Sequence, residues 1–210
     1  DRLMTAVHDR DSEEVAGGAG SARERALASI REVKADTEGR MAFLFDGMSL
    51  NVEDALFEEM HGMEEQDALA SHFNIVRAMR QQGALFRDEF KVLMNVGWVN
   101  LPNQEPGRTT LKPADVEVAA MISKLAIKTE LRHKMLSEEL CRRFSALIGR
   151  DVDEHPLSAS NLLLAFWFSV DKLTLTDDER RLLLPLFDRF VMDRIGPVLA
   201  AANASLDPAE

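Results

Sequence analysis

The chain has 210 residues, 36 acidic against 25 basic side chains and a net charge of −11, enough length to bury most of the surface its unfolded form exposes. That charge balance opposes a broad phosphate-tracking surface and excludes nucleic acid as the expected partner; one cysteine excludes an internal disulfide or a cysteine-based zinc site. No apolar run approaches the roughly 20 residues that span a bilayer, Leu162 to Val170 being the richest. A reducing cytoplasm fits this composition, and the abundance of Ala, Leu, Met, Glu and Arg without any tyrosine points to helix.

The sequence begins Asp1-Arg2-Leu3, with neither an initiator methionine nor a charged-then-apolar leader, so it reads as part of a larger bacterial protein. Residues 1–20 mix charges with Gly17-Gly18-Ala19-Gly20 and read as a flexible arm ahead of a single helical domain at 21–206, with 207–210 a tail. From Ser21, the spacing of Ala22, Leu27, Ile30 and Val33 predicts a first helix. Met41 to Phe45 predicts a second, ending near Gly47, and Asn51 is placed to cap a third from Val52 to Met60.

Beyond Gly62 an apolar stripe from Ala68 to Leu93 predicts one long helix over 65–96. Gly97 to Pro113, with Pro102, Pro106 and Gly107, reads as a long loop, and Pro113 suits the first turn of a second long helix ending at Gly149. The two long helices are expected to pack side by side as an antiparallel pair. Ser158 can cap the very apolar helix Asn161 to Val170, which reads as the core, and Thr176 with Glu179 forms a capping box for a last helix that Pro185 and Pro197 should kink or break. The expected architecture is an all-α helical bundle of about seven helices.

Few residue groups suggest chemistry. Glu58-Glu-Met-His61 and Glu130-Leu-Arg-His133 place a carboxylate and an imidazole one turn apart, the spacing of helical di-iron sites, with Glu89 and Glu179 as nominal further ligands. Chance pairings are common in so acidic a sequence, and His61 beside Gly62 reads as a helix end, so no metal and no cofactor is expected. His8-Asp9 and Asp151 to His155 read as solvated polar segments. No Gly-x-Ser-x-Gly elbow or phosphate loop is present, and no catalytic residue is assigned.

Two sets of residues remain as candidate sites. Trp98, Val99 and Leu101 are apolar where a loop is expected, and either tuck onto the bundle, the favoured reading, or anchor a partner. Arg77 and Arg80, with the pair Arg142 and Arg143, are either surface arginines paired with carboxylates or a clamp for a phosphate-containing ligand.

Several segments carry a resemblance. Val52 to Phe57, Phe73 with Ala78-Met-Arg80, and Phe86 to Phe90, then His155-Pro-Leu-Ser158, Ala165-Phe166 and Leu182 to Val191, resemble the proteobacterial family known as domain of unknown function 1631 over about residues 40–206. Its motifs are helix-packing patterns rather than catalytic signatures. The resemblance also carries the automatic label thymidine phosphorylase, which this chain does not support, because it has no glycine-rich phosphate-binding segment and no α/β pattern. The functional expectation is a non-enzymatic helical interaction or regulatory module, whose partner is another protein or another domain of the same polypeptide. A regulator of a phosphate-containing ligand such as a cyclic dinucleotide is the alternative, and a di-iron carboxylate enzyme the second alternative.

Overall fold

The computed structural model describes the backbone at residues 2–60, 66–103 and 113–206, and side chains at 23–58, 69–102 and 113–206. Six α-helices account for these residues: α1 Arg2–Met60, α2 Gln66–Asn100, α3 Val116–Ile148, α4 Ala159–Ser169, α5 Asp177–Phe190 and α6 Gly196–Ser205, with short 3-10 turns after α2, α4 and α5. The fold is an all-α helical bundle.

The count is six rather than seven because α1 runs through all three of the helices expected before residue 60, and through the glycine-bearing segment expected to be an arm, while the last expected helix is divided into α5 and α6. Asn51 shows why no break occurs near Gly47. Its side-chain amide donates to the Gly47 carbonyl at 2.6 Å, one turn back, so the residue expected to cap a new helix bonds inside a continuing one.

The antiparallel long pair is α1 with α2. Phe45 meets Phe86 and Phe90, while Phe57 further along α1 meets Phe73 nearer the start of α2. The pairing expected between α2 and α3 does not form, because α4 lies against both. Nor are those two helices opposed in direction. Asn74 and Asp115, near their beginnings, both bind the start of α5 through Glu179 and Arg181, and Trp98 and Phe144, near their ends, pack edge to face.

Helix α4 is the core element the sequence suggested, because apolar side chains surround it and every face finds a neighbour. Phe166 stacks on Phe187 of α5 with centroids 4.1 Å apart and meets Phe86 of α2 edge to face. Phe45 and Phe90 complete a cluster of five rings that joins four helices.

The expected caps hold at three places. Ser158 accepts from the Asn161 amide, Thr176 and Glu179 bond reciprocally, and Gly149 ends α3 at φ 77°, in the left-handed region glycine favours. At the other end of α3, Asp115 rather than the Pro113 turn is the cap, its carboxylate accepting from Glu117 and Val118. Pro185 does not end α5, which continues to Phe190, and Pro197 lies in the first turn of α6, where a missing N–H leaves no bond unmade.

Candidate functional site

Trp98 and Leu101 tuck onto the bundle, the favoured of the two readings, and do not form an exposed anchor. Helix α2 extends through Gly97 to Asn100, so Trp98 is only 2 % exposed against Phe144 and Leu101 is buried, while Val99 alone of the three faces outward. Gly97 makes this fit possible: a Cβ there would lie 3.2 Å from the Pro156 Cα. Residues 104–112 of the expected loop lie outside the described residues.

The four candidate arginines occupy two separate places. Arg142 and Arg143 both bind Glu139, whose carboxyl these bonds hold down at about 2, and Arg143 also donates to the Asn203 carbonyl at 2.9 Å. Arg77 donates to the Asn74 side chain and Arg80 to Glu53 across the α1–α2 junction. With Trp98 of α2 against Phe144 of α3, Arg77 lies about 30 Å along α2 from that end, at 1.5 Å per residue. One ligand of nucleotide size does not reach both pairs.

The carboxylates and imidazoles are likewise dispersed. Glu89 pairs with Lys172, and Glu179 is held by Thr176 and Asn74. Burial alone would raise the Glu179 carboxyl, but the bonds from Thr176 and Asn74 outweigh it and hold it below its ordinary value. The His133 ring packs on Gly196, where α3 departs from helical angles; burial, then Arg132, lowers its pKa. His61 lies outside the described residues, and no group of three or more metal-capable side chains occurs among the described ones.

His155 is buried instead of solvated, with Ser137 Oγ 2.7 Å from its Nε2, which ties the turn after α3 back to α3. Burial pushes its pKa down to about 4, so the ring is neutral and a weak base at neutral pH. Burial likewise pushes the neighbouring Cys141 thiol up to about 11, which keeps it protonated.

One surface does combine shape with exposed apolar area. Between α1 and α2 lies an open groove of about 390 Å³ whose floor includes Val52, Val76 and Met79. Two ion pairs cross it, Arg80 to Glu53 and Arg87 to Asp46. Phe43 and Leu50, one heptad apart on α1 and 78 % and 80 % exposed, lie one turn before Asp46 and Glu53, and Phe57 continues the stripe to its contact with Phe73. A further hollow of about 400 Å³ beside Phe73 and Arg77 shares Val76 and Arg80 with the groove.

Gly83 lines the groove mid-helix, and a Cβ built on it meets nothing within 4 Å. No contact within the described chain requires glycine there, although glycine inside a helix is less stable than alanine by about 0.5–1 kcal/mol. Sequence reasoning found Arg80 but passed over Phe43, Leu50, Gly83 and Arg87. The heptad spacing of Phe43, Leu50 and Phe57 was the available signal, hidden because the segment was divided into three helices.

The family described as Protein of unknown function (DUF1631) N-terminal domain matches residues 24–210. The chain belongs to that family. The match takes in both helices of the groove, so the groove lies wholly within the DUF1631 domain. No curated protein and no solved structure matches the chain. Among the described residues of this DUF1631 domain, no helix is long and apolar enough to cross a membrane.

Proposed function

We propose that the domain is a non-enzymatic interaction module of the bacterial cytoplasm that receives an amphipathic helix, from another protein or another domain of the same polypeptide, in the groove between α1 and α2. The observation that carries this reading is the groove's apolar floor, with Phe43 and Leu50 exposed on α1 one turn from its lining residues Asp46 and Glu53. A helix laid there would bury its apolar stripe on Val52, Val76 and Met79, and its backbone would approach closely at Gly83. The two ion pairs are solvent-exposed, and such pairs contribute at most about 1 kcal/mol each. A partner carboxylate can therefore exchange with Glu53 or Asp46 at Arg80 or Arg87 at little cost, which sets the register of the incoming helix.

The test compares capture from extracts of the cells that make the protein. Leu50→Glu puts a charge on the exposed apolar stripe beside the groove and Gly83→Leu fills the floor, and neither removes a core contact. Both are expected to melt within a few degrees of the parent chain, since surface changes of this kind are worth about 0.5 kcal/mol. A protein retained by the parent and lost from both variants supports the reading. An unchanged set across all three overturns it.

A further inference from the structure

Helix α3 carries a second apolar surface, on the side turned away from its own bundle. Its inner side buries Val118, Ile122, Ala126, Leu140 and Phe144 and packs on α4 and α6. On the outer side Val116, Ala120, Ile127, Leu131 and Met135 recur at helical spacing, with Val116 82 %, Leu131 71 % and Met135 83 % exposed. The flanking Lys128 and Arg132 turn toward Asp188 and Asp193, and Lys124 is the charged residue at the centre of the stripe.

We propose that this face docks a second copy of the chain, with α3 of each copy lying antiparallel to α3 of the other about a two-fold axis. A two-fold contact sets one surface against itself, so the two halves of that surface must match each other. They match here in a single register. When Val116 faces Met135 and Ala120 faces Leu131, Glu117 of each copy falls opposite Lys134 of the other, and the axis passes between Lys124 and Ile127. Ala120 and Ser123 are small and let the helix axes approach.

Charge supports a second copy rather than an unrelated helix. The chain carries −11, so two copies repel over most of their surfaces. Along this stripe Glu117, Lys124, Lys134 and Glu138 supply two acids and two bases, so the face is locally neutral and complementary to itself. Glu117 and Lys134 are also available. Glu117 reaches Arg181 only at 3.8 Å and Lys134 reaches Glu138 at 3.6 Å, both in exposed positions. An unrelated partner would require no such relation between the first and last turns of the stripe.

Sedimentation velocity on the 210-residue chain, from about 1 μM to about 500 μM, tests this directly. The expected result is a mass that rises with concentration from monomer to dimer. Leu131→Glu is expected to remain monomeric throughout with an unshifted melting temperature, because its side chain touches no core. Glu117→Lys and Lys134→Glu should each weaken the dimer about tenfold, and the double exchange should restore it. A monomer at every concentration, a dimer indifferent to Leu131→Glu, or a double exchange no better than either single one would overturn the proposal. So would a dimer abolished by Leu50→Glu, which would move the contact to the α1–α2 groove.

Discussion

His155 is the residue whose burial has the clearest consequence in solution. Its folded pKa of about 4 lies below the ordinary value of 6.5, so between these values the unfolded chain binds a proton that the folded chain refuses. Stability is therefore full above about pH 6.5, falls as pH drops toward 4, and gains no further slope from this group below that. The shift corresponds to about 3 kcal/mol at 1.36 kcal/mol per unit. His133 acts in the same direction, and Glu130, whose carboxyl burial and Glu154 push up, acts weakly against it. Urea unfolding at pH 7.5 and 4.5 should show the loss, and His155→Leu should remove most of the difference. Equal slopes in the two chains would contradict this account. At Gly83 the opposite kind of change is expected: Gly83→Ala should stabilise the isolated chain by about 0.5–1 kcal/mol, because nothing in the fold occupies the space a methyl needs.

The helices themselves were legible wherever local chemistry decides. Ser158, Thr176 with Glu179, and Gly149 each act on backbone groups within four residues, so sequence alone locates them. What pattern does not show is whether a helix continues through a weak point. Gly47 was read as a break, yet α1 passes it, because burial of Met41, Phe45 and Met48 on one face outweighs the poor helix propensity of glycine. Nor does pattern show which helices are neighbours. Helix α4 separates α2 from α3 because its apolar residues bury on more than one side and it packs against both. Phe166→Ala should accordingly cost about 3–5 kcal/mol, the loss of a buried ring at the meeting of three helices, and Thr176→Ala about 1 kcal/mol through its cap alone. Thermal melting distinguishes the two, and comparable losses would show that the ring cluster does not carry the packing.

At the scale of the whole molecule the candidate site was less legible than the fold. Trp98 and Leu101 read as loop residues, a partner anchor being the lesser alternative to tucking onto the bundle, when α2 was ended at residue 96; the helix runs four residues further and both are buried. The arginines read as a possible clamp because sequence gives neither their partners nor their separation. With Arg80 bound to Glu53 and Arg142 and Arg143 to Glu139, a panel of nucleotides at millimolar concentration is expected to leave the melting temperature unmoved, and a rise of several degrees with any of them would show a phosphate site. The groove emerged only once α1 and α2 were seen as one antiparallel pair, since its lining comes from both. Its occupation by a partner helix is the central claim. The most direct measurement places a photo-reactive amino acid at Ala84, which lines the groove, or at Ala200, an exposed position on α6, and irradiates the chain in the cells that make it. The account predicts a discrete cross-linked species of higher mass from position 84 that is lost when Leu50→Glu is added and is missing from position 200. Cross-linking equal at the two positions, or none at position 84, would contradict it.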